Sequence, residues 1–128
     1  KALDFLQKPY LAHLVTLMRD GSPHVTPVWV DTDGEHVLVN TAEGRLKTRN
    51  VRRNPHVALS VVDPSDAWAT LQVRGSVIEV TSNGADAHID KLAKKYMGKD
   101  KYPWRRPGEV RVVLKIKAER VSGTVAQG

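Results

Sequence analysis

Residues 40–55, NTAEGRLKTRNVRRNP, gather five basic side chains, Arg45, Lys47, Arg49, Arg52 and Arg53, against one acid, Glu43. The pattern reads as a polar loop running into a helix, and such a junction can hold an anion. Asn40 and Thr41 end a strand-like stretch, and Gly44 lets backbone approach a ligand closely. A helix starting at Arg45 would present free N–H groups and the positive end of its dipole. At about 100° per residue, Arg45, Arg49 and Arg52 share one face with Arg53 at its border, an arrangement that also suits a solvated surface. Lys47 falls on the other side with Asn50, Val51 and Asn54, the side expected to meet the protein. A lone charge there is costly without a partner. Thr41, the free amides, Arg45 and Lys47 together describe a phosphate site.

No other constellation is self-sufficient. The serines sit in no G-x-S-x-G elbow. The five histidines (His13, His24, His36, His56, His88) show no H-x-H or H-E-x-x-H spacing, which argues against a metal site. There is no Walker loop and no G-x-G-x-x-G. An enzyme built from these residues would leave the reaction to a bound cofactor. The net charge of +6 favours an acidic partner. A nucleic-acid module would want exposed aromatics beside the basic groups. The chain has only three Trp, three Tyr and one Phe, Trp29 lies in the most apolar strand, and YPWRRP (102–107) is the one aromatic–basic cluster. Nucleic acid is therefore disfavoured.

Positioning these residues falls to a chain of 128 residues, the length of one domain spanning 1–128. Cysteine is absent, so disulfides are excluded, and a reducing cytoplasm suits the composition. No run approaches the roughly 18 apolar residues of a membrane span. The opening KALDFLQKPYL lacks the apolar run of a secretion signal, and Lys1 in place of Met suggests a trimmed start. A short helix is expected over 2–7, and strands over 11–18, 24–31 and 35–41, separated by the glycine turns RDGSP and DTDG. The second strand is apolar on both faces, with Val25, Pro27 and Trp29 opposite Val28 and Val30, as in a closed barrel or a dimer. Pro27 marks an edge, a bulge or a site of close approach. A helix over 45–53 ends before Asn54-Pro55. Strands follow over 56–63 and 68–82, the latter with a bulge at Gly75. A helix of about 13 residues from Ala85 carries Ile89, Leu92, Ala93 and Tyr96 at helical spacing and stops at Gly98. An irregular loop precedes a last strand over 110–121, with Val110, Val112, Leu114, Ile116 and Ala118 on one face. The order predicts a mainly β fold with two or three helices, its six antiparallel strands closing into a small barrel.

DGSPHVTPVWV, DGEHVLVNTAEGRLKTRNVRRNPHVAL, VRGSVIEV and YPWRRPGEVRVVLKIKAERV carry a resemblance over most of residues 11–122. They resemble the split-β-barrel flavin and deazaflavin reductases of the pyridoxamine 5'-phosphate oxidase-like superfamily. The second piece is the most specific and looks closest to the actinobacterial branch that uses coenzyme F420, a deazaflavin with a phosphate and an oligoglutamate tail. The resemblance implies a six-stranded antiparallel split barrel, a homodimer with cofactor at the subunit interface, and a small-molecule substrate. It implies that Thr26, Pro27, Val28 and Trp29 line the ring system, and that Asn40, Thr41, Arg45, Lys47 and Arg53 hold the phosphate. The partner subunit would add residues from the Trp68 region and from the loop bearing Tyr102, Trp104 and Arg105. The implied activity is hydride transfer from reduced F420 to an electron-poor conjugated compound. An FMN-dependent reductase or oxidase and a non-catalytic F420-binding protein are the alternatives. Pyridoxamine-phosphate oxidases carry a Ser-Arg-Lys cluster where Gly44-Arg45-Leu46-Lys47 stands here, and an Arg-x-His pair that the ending ERVSGTVAQG lacks. Vitamin B6 oxidation is therefore not expected.

Overall fold

A computed structural model describes residues 2–127. Helix α1 (Ala2–Gln7) precedes strands β1 (Ala12–Leu17), β2 (Pro23–Val28), β3 (Val30–Thr32) and β4 (Val37–Ala42). Helix α2 (Leu46–Arg53), strands β5 (His56–Asp63) and β6 (Asp66–Thr81), helix α3 (Ala85–Met97) and strand β7 (Arg111–Ser122) follow, with a 3₁₀ turn at Thr124–Gln127. Among the described residues, no helix is long and apolar enough to cross a membrane.

All seven strands form one antiparallel sheet in the order β2-β1-β5-β6-β7-β4-β3. Its two edges are consecutive in sequence. β2 pairs with β1 and β3 with β4, and only Trp29 separates them. The predicted second strand is therefore two strands, which makes seven rather than six and curls the sheet into a split barrel. Apolar residues on both faces of this segment signalled the closure; the break at Trp29 lets one chain segment serve both edges. Pro27, which has no N–H, sits on the β2 edge, where none is needed.

The core inside the barrel comprises Leu14, Val30, Val39, Val61, Leu71, Val112, Leu114 and Ile116, among others. Alternation delivers it: β1 reads buried–exposed–buried from Ala12, and β4 buries Val37 and Val39. Val112, Leu114 and Ile116 are buried as expected, whereas Val110 precedes β7 and is exposed, as is Ala118 beyond the end of the core. The β6–β7 register slips between Arg74 and Gly75, as predicted for a bulge. A Cβ at Gly75 would lie 2.0 Å from the Lys117 carbonyl oxygen, so the two backbones approach there as only glycine permits.

Helix α3 buries Ile89, Leu92 and Ala93 and ends at Gly98, whose φ of 71° suits glycine. Its last turn reaches across the barrel. Tyr96 Oη donates to the Tyr10 carbonyl (2.7 Å) and accepts from the Val30 N–H (3.0 Å). Lys95 Nζ donates to the Leu6 and Val30 carbonyls at 2.6 and 2.5 Å, tying α1 and β3 to α3.

Candidate functional site

A cleft of about 360 Å³ opens on the outside of the barrel where β2 breaks into β3, bounded by the start of α2, by α3 and by the loop before β7. Its two ends differ in chemistry.

The first end is cationic. Gly44, at φ 85°, turns the chain from β4 into α2, and Thr48 Oγ1 donates to the Ala42 carbonyl at 2.8 Å to fix the junction. Helix α2 has no side-chain cap and no acid in its first turn, so its leading N–H groups stay free. Lys47 is half-buried, and burial pushes its ammonium below its ordinary pKa, with Arg45 and Arg111 adding repulsion. Among the described residues no carboxylate offsets Lys47. The one acid at this end, Glu109, is shared between Arg111 (3.3 Å) and Arg45 (3.9 Å). Three cations thus face one carboxylate, an imbalance that an anionic ligand would relieve.

The second end is aromatic. Trp29 stacks on Tyr96, with ring centres 5.2 Å apart and planes 9° from parallel. Tyr102 and Trp104 meet its other sides at 6.1 and 6.4 Å. The loop that carries them is held to α3 by Asp90, whose carboxylate accepts from the Tyr102 N–H (2.9 Å) and from Arg105 (2.7 Å). Those bonds, led by the Tyr102 amide, hold the Asp90 carboxyl below the usual range. With Pro27, Val28 and Ile89, the rings of Trp29, Tyr102 and Trp104 form a wall suited to a planar ring system.

Asn40 and Arg111 join the two ends. Arg111 is buried, donates from Nε to Asn40 Oδ1 (2.9 Å), and lies 5.2 Å from the centre of the Tyr102 ring. Behind Asn40, His88 reaches Asp31 at 3.1 Å. Burial opposes ionisation of Asp31, but bonds from His88, the Thr32 amide and Lys91 outweigh it and hold the carboxyl far below the usual range.

Nine expected residues line this one cleft: Pro27, Val28, Trp29, Asn40, Thr41, Arg45, Lys47, Tyr102 and Trp104. Four do not. Strand alternation turns Thr26 to the face opposite Pro27, where its Oγ1 is buried without a partner among the described residues. Arg53 donates to the Leu17 carbonyl and to Asn50 Oδ1, both at 2.8 Å, and lines a separate groove with Arg19, Arg49 and Arg52. Arg105 is bound to Asp86 and Asp90. Trp68 is 83% exposed at the start of β6 and does not line the cleft of its own chain. Two expectations need correction. Tyr102 and Trp104 meet Trp29 of the same chain, because Asp90 folds their loop back onto α3. Arg45 leaves the Arg49–Arg52 stripe, because it is the extended residue before α2 (ψ 147°), so helical spacing does not govern it. Leu11, Ile89 and Arg111 were missed. No sequence signal set Arg111 apart, because charged residues recur along the same strand at Lys115, Lys117 and Glu119.

A split antiparallel barrel with a cleft that is aromatic at one end and cationic at the other belongs to the class of small barrels able to seat a planar, anion-bearing ligand. The chain is a member of the pyridoxamine 5'-phosphate oxidase family, whose model matches residues 1–124. It is 36% identical over 125 residues to an F420H2-dependent biliverdin reductase of Mycobacterium tuberculosis, covering 96% of this chain and 85% of that one. A solved F420 reductase matches with a TM-score of 0.82 at 32% identity, over 93% of this chain and 94% of that chain. A haem storage protein of Vibrio cholerae shares the fold at 15% identity and a TM-score of 0.64, over 94% of this chain and 89% of that chain.

Proposed function

We propose that the chain is an F420-dependent reductase acting on an electron-poor conjugated small molecule. The observation that carries this reading is Lys47: half-buried, beside Arg45 and Arg111, without an acid of its own, and in the same cleft as the aromatic wall. The relatives named for F420 chemistry support the choice of cofactor. When bound, reduced F420 supplies a hydride. The residues of this chain do the rest. Trp29, Tyr102 and Trp104 exclude water from one side of the ring. Lys47, Arg45 and the free amides of α2 take the phosphate, and Thr41 closes the strand side. The fixed wall and clamp hold the ring in one orientation toward the acceptor.

A second copy of the chain would complete the site. Beside the cleft, the outer face of β2-β1-β5 carries Val25, 58% exposed, and Val62, 41% exposed, with Leu11 and Pro27 shared between face and cleft. Exposed apolar side chains gathered on one face beside a cleft call for a partner, and the partner's Trp68 would then reach a cleft that its own chain's Trp68 does not.

The test is a parallel titration of the purified apoprotein with F420 and with FMN, followed by single-turnover mixing of the F420H2 complex with conjugated acceptors. Preference for F420 by at least tenfold, with oxidation of F420H2 by an acceptor, is expected. Preference for FMN would move the protein to flavin chemistry. Tight F420 binding with no oxidation by any acceptor would mark a carrier.

A further inference from the structure

Asn40 was expected to touch the ligand, but its hydrogen bonds are used inside the protein. Its amide has two N–H donors and one oxygen. The donors go to the Ala85 carbonyl (2.9 Å) and to His88 Nδ1 (3.2 Å), and the oxygen accepts from Arg111 Nε (2.9 Å). The direction of each bond is then fixed. His88 Nδ1 receives an N–H, so its proton sits on Nε2 and is donated to Asp31 Oδ2 at 3.1 Å. Asp31 is held in turn by Lys91 at 3.2 Å. Rotating the Asn40 amide would point its N–H at the Nε–H of Arg111. The guanidinium is pinned by Nε to Asn40, by Nη1 to Glu109 at 3.3 Å, and by the Tyr102 face. Its remaining N–H groups have no partner among the described residues, and it lines the cleft where the aromatic and cationic ends meet.

We infer that Arg111 is the residue that binds an anionic oxygen of the ligand at this boundary, and that Asn40, His88 and Asp31 are positioning residues that act through it. A planar fork held at one edge and stacked on a ring has little entropy left to lose on binding, unlike the flexible Lys47. This rests on the reading of the cleft as a deazaflavin site.

The test titrates F420 and, in parallel, FMN into the wild type, R111Q, R111K, H88L and the R111Q/H88L double variant, with a thermal melt of each. For the ligand the wild type prefers, R111Q is expected to lose about tenfold to a hundredfold in affinity. R111K should recover little of that loss, because an ammonium lacks the fork. H88L should lose several-fold alone and nothing further in the R111Q background, since the two act as one unit. Without ligand, the Arg111 Nε–H should exchange slowly with solvent in a ¹⁵N spectrum of the wild type and rapidly in H88L. A merely structural His88 would lower the melting temperature without that change. Wild-type affinity in R111Q overturns the assignment of Arg111, and additive losses in the double variant overturn the positioning role. Should R111Q fail to fold, wild-type affinity in both R111K and H88L overturns the proposal. Preference of the wild type for FMN overturns the deazaflavin reading while still testing Arg111 on FMN; binding of neither overturns both.

Discussion

Lys47 carries the residue-scale logic of the site. Its ammonium is half-buried and repelled by two guanidinium groups, so the fold holds it at a cost that a bound anion would recover. Lys47→Met should therefore weaken F420 binding by about tenfold or more, yet leave the apoprotein as stable as the wild type or raise its melting temperature by about 2–4 °C. Calorimetric titration and a thermal melt of the same samples check both halves. Equal affinity with lower stability would make Lys47 a packing residue. Helical spacing put this side chain on the Val51 side, and in the structure Val51 is buried and Lys47 half-buried. It could not point to Arg111, whose importance depends on β4 and β7 pairing so that Arg111 stands opposite Ala42, two residues from Asn40.

At the scale of elements, two contacts are open to direct test. Gly75→Ala would drive a Cβ to 2.0 Å from a backbone oxygen. The strands must part, and a loss of about 2–4 kcal/mol in urea unfolding is expected. The other contact is the tie from Lys95 to α1 and β3. Burial pushes the Lys95 ammonium down to about 8 from 10.5, with Asp31 opposing the shift and Lys91 adding to it. The unfolded chain keeps this proton to higher pH than the folded one, so the Lys95 contribution to stability rises with pH between about 8 and 10.5. Tyr96 has the opposite sign. Burial raises its hydroxyl to about 12 from 10.0, so its contribution is complete below pH 10 and is lost as pH rises toward 12. Between pH 8 and 10, then, the wild type should gain stability relative to Lys95→Met, measured by urea unfolding at each pH. A constant difference would show that Lys95 titrates normally in the fold. The extents of α1, α2 and α3 were legible to within a residue, because caps, glycine stops and apolar spacing are local signals. The break at Trp29 was not, because no local rule ends a strand inside PVWVD.

For the whole molecule, the apolar outer face beside the cleft should decide assembly. Val62→Arg would place a charge on that face without touching the barrel interior. We expect light scattering to show a dimer for the wild type and a monomer for the variant, with the variant's F420 affinity reduced about tenfold. A dimer of unchanged affinity would put the interface elsewhere.

Sequence by itself determined the alternation that builds an antiparallel barrel, the bulge at Gly75, the helix start that leaves amides free beside Arg45 and Lys47, and the misfit of Lys47 on a protein-facing side. Each is a consequence of residue type and spacing within a few positions, and spacing is enough for such local effects. Only the tertiary structure decided that the second strand breaks at Trp29 to supply both edges of the sheet. It also decided that Asp90 folds the Tyr102–Trp104 loop onto that same tryptophan, that Arg53 and Arg105 turn away to internal partners, and that Asn40 serves Arg111. Several of these outcomes join residues far apart in the chain, Asn40 with Arg111 and Trp29 with Tyr102 among them. Such contacts depend on strand order and register, which arise when the sheet closes around its core and buries the groups that must then satisfy one another.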